Sequence, residues 1–505
     1  MTFRASNDIS VLMQHRYKVN RRKIIVIKGP LEVLINRVRT TWQLICEHPG
    51  TIETPEARGR DRMRRVAISA AAMAGAIGLA TLVSLISIPL TVKYLGPERY
   101  GVWLTISSLL TWLAITDMGF GGSALINVLA EARGRDDINA ARAFVSTALF
   151  GLCGIAFTLL LIFFVSFSYV PWDAVFNTNG VIDPTELKIT VGLAFIIFTL
   201  MFPINLVNGV YSSYQEGYIG SIWTMVANLV SLISLIVVVH FKGGLPLLVL
   251  ALSGSRLIVL LMSGGYLFWV RHSEIRPSTS AFSFKCFKRL SNLGWKYLLQ
   301  QLAGIGMFQS QPIMISQSLG PQQVGVFAVT VRILELPLTF VRLFSYPLVA
   351  AYGEAKARNE WPWIWETVRR SIFGSISAAL IFVVPLAIIA KPLIDWWVDS
   401  TLVPPTSLVV ILSCYVLLNA TITPIAAFFT GIEWISAQAI IGIINALVTV
   451  GLAFILLPLM KIPGIGLAIL VGILFNVLGQ GFLIWRIYSR SHRKLGMNEK
   501  TNTPI

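Results

Sequence analysis

Almost the whole chain is divided into apolar runs of about 20 residues or more, each closed by charge or by Pro and Gly. A run of that length crosses a ~30 Å hydrocarbon layer as a helix. The helical form is required there, because lipid offers no partner for an unsatisfied backbone N–H or C=O. Twelve such runs occur, at approximately 66–92, 100–130, 143–170, 187–210, 219–240, 245–270, 293–319, 325–352, 367–390, 402–429, 434–458 and 464–485. The expected fold class is an all-α polytopic membrane protein with twelve transmembrane helices.

Composition enters where the charge has to be explained. The 505 residues carry a net charge of +17, which in a soluble chain would suggest a nucleic-acid partner. Only 13% of residues are charged and 55% are apolar, so no soluble fold could hide the apolar surface and no nucleic acid is expected. The basic residues are instead a topological signal: with the N-terminus placed inside, 31 of the 41 Lys and Arg fall in cytoplasmic segments and five in outer ones. Both termini are therefore expected in the cytoplasm of a multi-pass protein. Boundaries follow from the spans: a basic N-terminal extension (1–65), a first lobe (66–270), a cytoplasmic inter-lobe loop (271–292), a second lobe (293–486) and a basic tail (487–505). Within the extension, Leu31, Leu34, Ile35, Val38, Trp42 and Ile45 follow helical spacing behind Pro30, so this piece is a candidate amphipathic helix on the anionic leaflet. Trp172, Trp396 and Trp397 at one boundary and Trp269, Trp434 and Trp485 at the other suit interfacial belts.

An internal repeat constrains the architecture further. LGPERYG (95–101) recurs as LGPQQVG (319–325) at an offset of 224, and each copy precedes a span that ends in EAR (131–133) or EAK (354–356). Six spans separate the copies, and an even number preserves direction through the membrane. The halves are thus two parallel six-helix lobes, an arrangement found in transporters that rock one bundle against the other.

The stretch VKYLGPERYGVWLTISSLL, followed by ITDMGFGGSALINVLAEARGRDD, resembles the polysaccharide-transporter branch of the MOP exporter superfamily, the Wzx-like flippases of lipid-linked oligosaccharides. The resemblance implies a MATE- and MurJ-like fold and a place in the bacterial inner membrane. It implies a polyprenyl-diphosphate-linked oligosaccharide as substrate, membrane lipids around the chain, and a polysaccharide polymerase with its chain-length machinery as possible partners. The oligomeric state, monomer or higher, is left open.

Ionisable side chains inside the spans mark the candidate site. Each costs about 2.5 to 3.5 kcal/mol at the bilayer centre, so Asp117, Arg256, Arg332, Glu335 and Arg342 must face water or one another. Arg332 and Glu335 share a helix face, while Arg256, flanked by Ser253, Gly254 and Ser255, has room beside it for a head group. Guanidinium engages phosphate oxygens in pairs at any accessible pH, which makes Arg256, Arg332 and Arg342 candidates for a diphosphate. The alternative for each is a structural ion pair. Gln300, Gln309 and Gln311 on the seventh span, with Gln301 and Gln317, are candidates for sugar hydroxyls or for helix-to-helix hydrogen bonds. Asp117, in DMGFGG, is read as a coupling site or as one partner of an inter-lobe ion pair with Arg342, and Glu335 falls in the same class.

No nucleotide-binding GxxxxGK[ST] occurs, the four Cys and five His form no metal-ligand pattern, and the outer connections are short. Neither a catalytic site nor a cofactor or metal is expected. A MATE-type antiporter of small molecules and, behind it, a membrane polysaccharide polymerase or ligase are the competing readings.

Overall fold

The structure, a computed structural model, describes residues 55–501 apart from 113–116, 118, 179, 181, 358–359 and 433. The amphipathic segment behind Pro30 lies outside the described residues. By its internal contacts the chain divides after Ala71. The described part of the first unit is the opening of helix α1 (Pro55–Leu95); all that follows concerns the second, Ala72–Ile505.

The second unit is helical throughout its described length. After α1 come α2 (Pro97–Trp112), α3 (Ser123–Gly134), α4 (Ile138–Phe167), α5 (Pro184–Ser213), α6 (Gly217–His240) and α7 (Leu245–Arg271). The second half has α8 (Phe284–Leu319), α9 (Pro321–Leu334), α10 (Leu336–Ala357), α11 (Trp361–Trp397), α12 (Thr406–Gly431), α13 (Ile435–Met460) and α14 (Ile462–Thr501). Among the described residues, nine of these helices are long and apolar enough to cross a membrane, and α9 with the start of α10 makes a tenth as a bent pair. The two remaining expected spans coincide with helices that fall short of that standard for physical reasons. The second is broken between α2 and α3, and the seventh, α8, is diluted by its glutamines and basic first turns.

Local chemistry sets the helix ends. Asp137 accepts the Ala140 N–H at 2.9 Å, and Asp183 accepts those of Thr185 and Glu186 ahead of Pro184 at the first turn of α5. A π-helical turn at Leu250–Gly254 in α7 shifts the register just before Ser255 and Arg256.

Apolar cores are segregated by half. Leu125, Val145, Leu152, Leu206 and Tyr211 pack in one, and Phe163, Trp172, Phe176, Leu187 and Leu248 in another, both from the first six spans. A third joins Val324, Phe327, Leu338, Leu412, Ile465 and Ile473 of the second half. Three residues cross over: Val92 of α1 and Tyr100 of α2 are buried in the second half's core, and Leu290 of α8 in the first half's. Large apolar side chains such as Phe157, Ile162, Phe164, Ile381 and Leu447 point outward, as a lipid-facing surface requires. Trp172 corrects the belt assignment: it is buried, its indole N–H donating to the Phe167 carbonyl at 3.0 Å within an aromatic stack.

Candidate functional site

The two copies of the repeated motif face each other. In each, a glycine ends one helix in the left-handed region (Gly96 at φ +80°, Gly320 at φ +87°) and a proline opens the next, Pro97 for α2 and Pro321 for α9. The third conserved element of the pattern, five residues beyond the first glycine, has a different purpose. A Cβ placed on Gly101 would lie 1.7 Å from the Pro321 carbonyl oxygen, so α2 and α9 cross with their backbones in contact. Its counterpart Gly325 faces Pro97 and Tyr100 in return, at a looser 3.6 Å from the Pro97 carbonyl. The motif is thus a reciprocal clasp between the halves.

Other contacts extend the clasp around this end of the bundle, called here the motif end. Asn177 Nδ2 donates to the Ser316 carbonyl at 2.8 Å, Ser316 Oγ donates to the Phe176 carbonyl at 3.0 Å, and Gln317 Nε2 donates to the Ala174 carbonyl at 3.0 Å. Gln317 therefore caps a loop of the first half rather than lining an aqueous path. Glu186 pairs with Arg99 and accepts the Leu245 N–H at 2.9 Å, and Trp397 donates from its indole to the Leu85 carbonyl at 2.9 Å.

Below the clasp both repeat-related spans break. In the second span the described turns lie at Asp117 and Gly119–Gly122, before the helix resumes at Ser123, and in the eighth α9 ends at Leu334. Asp117 accepts the Gly121 N–H on its carboxylate at 2.8 Å and the Phe120 N–H on its carbonyl at 2.9 Å. Gly119 holds φ +73°, and a Cβ on Gly209 of α5 would sit 2.5 Å from the Gly121 oxygen. Only glycines allow so tight a seat. In the eighth span the helix bends by 46° at Glu335, one residue before the Leu336–Pro337 turn that opens α10.

A cavity of about 260 Å³ opens at this second break, lined by Phe308, Gln311, Pro312, Arg332, Glu335 and Tyr415 among others. Tyr415, 2% exposed, donates its hydroxyl proton to Glu335 Oε1 at 3.0 Å and accepts from Asn419 Nδ2 at 3.1 Å. Arg332 reaches out of its own half, Nε and Nη2 both donating to Ser84 Oγ of α1, the former at 3.1 Å. An arginine held by one hydroxyl keeps donors in reserve, since guanidinium has five.

A family model described as "Polysaccharide biosynthesis protein" matches residues 68–352, more than half of the chain. The chain belongs to that family. A "Putative O-antigen transporter" of Salmonella typhi is 22% identical over 300 residues, which are 58% of this chain and 66% of that protein. An inward-facing multidrug-resistance MATE transporter of the MOP superfamily superposes with a TM-score of 0.70 at 16% identity, covering 84% of this chain and 96% of its own. An outward-facing MATE transporter follows at 0.61 and 17%, covering 88% and 98%. A MOP superfamily transporter from Pyrococcus furiosus, described as having a binding pocket of reverse polarity, follows at 0.63 and 17%, also covering 88% and 98%. Membership of a polysaccharide-biosynthesis family and the MATE-like helical fold expected from the residues are both found, in a chain with several helices long and apolar enough to cross a membrane.

The remaining candidate residues of this family member divide between cavity and periphery. Gln311 is buried in the cavity wall and Gln309 is half-buried on the same helix; the Gln300 side chain lies outside the described residues. Arg342 is exposed on the side of α10 opposite the exposed Phe340 and Phe344, and lies within electrostatic reach of Glu335. Arg256 stands apart from this cavity. It is exposed on the side of α7 opposite Ile258, Leu261 and Met262, and its Nη2 donates to Asn228 Oδ1 of α6 at 3.1 Å. Each of these two arginines turns away from its helix's apolar outer face.

The anticipated Asp117–Arg342 ion pair is not formed: among the described residues Asp117 is served by backbone N–H groups of its own turn. Nor do Arg332 and Glu335 close a salt bridge on each other, because Ser84 and Tyr415 hold them apart. Tyr415, Asn419 and Ser84 were not legible as site residues, since lone hydroxyl and amide groups within apolar runs name no partner.

Proposed function

We propose that this protein flips a polyprenyl-diphosphate-linked oligosaccharide across the bacterial inner membrane, with both termini cytoplasmic, by alternating exposure of a cationic space between two six-span lobes. The carrying observation is the pair of breaks, one in each of the repeat-related second and eighth spans, beneath a clasp of the two motifs. Broken helices at a repeat interface supply polar groups at membrane depth without exposing backbone to lipid, which is how transporters build midplane sites. With the motif end fastened, the proposed motion opens the opposite, basic end toward the cytoplasm.

The charge of that space favours an anion. Arg332 sits in the cavity wall, while Arg256 and Arg342 are exposed on faces turned from the apolar exterior. All three stay charged, and each presents a planar fork suited to phosphate oxygens. Gln311 and Gln309 offer amides to sugar hydroxyls, and Asp117 and Glu335 are the acids available for ion coupling or for pairing as the lobes re-close. The Salmonella relative's name and the family description support a saccharide cargo. Polymerase and chain-length proteins would act on the product after it crosses.

Deleting the gene and following the lipid-linked oligosaccharide tests this reading. The intermediate is expected to accumulate in the inner leaflet and to clear on complementation, with Arg332→Ala failing to complement. If no intermediate accumulates while sensitivity to cationic drugs rises, the protein is instead a small-molecule antiporter; that alternative draws on Asp117 and Glu335.

A further inference from the structure

At the basic end a groove lies apart from the cavity at the eighth-span break. One wall is α3, with Val128 and Glu131; the other is the start of α8, with Lys285, Lys288, Arg289 and Leu293, and the enclosed space is about 550 Å³. The α8 residues recur at helical spacing, so the three cations share one face. Glu131 is already engaged, by Arg289 and by Arg135 at 2.8 Å. Lys285 and Lys288 are exposed, and among the described residues neither ammonium has an ion-pair partner.

Apolar and aromatic surface adjoins these cations. Val128 and Leu293 line the groove, and Phe282 and Phe284 are exposed immediately before it, the latter at 73%. Phe284 stacks on Phe287, which meets Phe120 edge-on at 5.5 Å. Cations at the ends of membrane helices, with aromatic rings beside them, match the boundary where lipid phosphates give way to acyl chains.

We infer that this groove binds the phosphate of an anionic lipid, Lys285 and Lys288 holding the headgroup oxygens while Leu293 receives the first methylenes of the chain. Two sources share that chemistry, the bulk anionic phospholipid and the diphosphate of a polyprenyl carrier. The second source rests on the proposed function; the first does not. Glu131 sets the strength of the site, since it draws Arg289 away from the ligand.

Native mass spectrometry of the full-length protein in micelles reads this directly by counting retained lipids. Phosphatidylglycerol is expected to bind the wild type and to bind Lys285→Gln/Lys288→Gln about 25-fold more weakly, at roughly a fivefold loss per lysine. Phosphatidylcholine should bind poorly to both. Glu131→Gln should bind phosphatidylglycerol more tightly, a gain that misfolding cannot produce. Equal phosphatidylglycerol retention by wild type and double variant, or no gain in Glu131→Gln, overturns the site whatever the protein transports. Displacement of phosphatidylglycerol by polyprenyl diphosphate but not by the polyprenyl alcohol would assign the groove to the carrier; resistance to both, with the lysine dependence intact, would assign it to phospholipid.

Discussion

The second and eighth spans begin alike and break differently. Both start at a proline behind a positive-φ glycine, and both are broken further along, the second at the turns of Gly119–Gly122 and the eighth at Glu335. The second span then unwinds over a turn that is self-contained, its Asp117 capping its own backbone and its glycines seated against α5. The eighth bends sharply at Glu335, and support comes from elsewhere, from Tyr415 on α12 and, through Arg332, from Ser84 on α1. Where the halves must meet, the motif has stayed the same; where each half manages its own break, the residues have diverged. A break held from within moves with its own span, whereas one held by two other helices senses their positions.

The clasp provides the strongest way to break that comparison, because its two glycines are equivalent by sequence and unequal in space. Gly101→Ala forces a Cβ to 1.7 Å from a backbone oxygen that cannot yield, and Gly325→Ala meets the movable end of Leu402 at 3.1 Å. Gly101→Ala should cost about 1–3 kcal/mol of motif-end closure by overpacking and lower transport about tenfold or more, with Gly325→Ala well under that. Distances between spin labels placed across the motif end would check it, widening in the first variant and not in the second. Equal effects would mean that the clasp is symmetric after all.

Tyr415→Phe comes next. Removing the hydroxyl leaves Glu335 short of a buried donor, at about 1–3 kcal/mol, and the melting temperature in detergent should fall accordingly. Asp117→Asn is the milder counterpart, because an amide oxygen still accepts the Gly121 N–H; its effect on melting should stay below about 1 kcal/mol. A large stability loss in Asp117→Asn would show that the second break also depends on its charge, and the contrast between the spans would collapse.

How much of this the sequence reveals depends on the range of the interaction. Membrane spans follow from local apolar runs, and the repeat from matching letters, so the helical order is readable before any coordinates. The use of Gly101 and Gly325 is not, since their spacing is local but the carbonyl they accommodate lies about 220 residues away. Gln317 reads like its neighbours on a polar helix and is in fact committed to the Ala174 carbonyl. An acid within a span calls for a distant cation such as Arg342, yet for Asp117 a backbone N–H four residues along is the partner in the folded chain.

The comparison of halves extends to their basic ends and yields the smallest expected effect. In the second half, Lys356 Nζ donates to the Ile432 carbonyl at 2.8 Å, an acceptor that does not titrate. In the first half the corresponding fastening is ionic: Glu216, 3% exposed, accepts from Arg271 Nη2 at 2.6 Å and meets His272 Nε2 at 3.1 Å, while Glu274 meets His272 Nδ1 at 2.8 Å. Burial opposes the charge on Glu216, but the hydrogen bonds from His272 and Arg271 outweigh it and hold the carboxyl down at about 2. Burial likewise opposes the charge on His272, and Glu216 and Glu274 together raise it above its ordinary 6.5. A depressed carboxylate contributes stability that is present above its unfolded value of 4.5 and lost as pH falls toward about 2; a raised histidine contributes stability that is present below 6.5 and lost as pH climbs through its folded value. The first half should therefore be most stable between about 4.5 and 6.5 and soften on either side. Melting temperature followed across pH in a fixed detergent would show both slopes in the wild type, the acid slope lost and the alkaline one reduced to the share of Glu274 in Glu216→Gln, and both retained in Lys356→Met. If Glu216→Gln keeps the wild-type slopes, the cluster does not fasten this end of the first half.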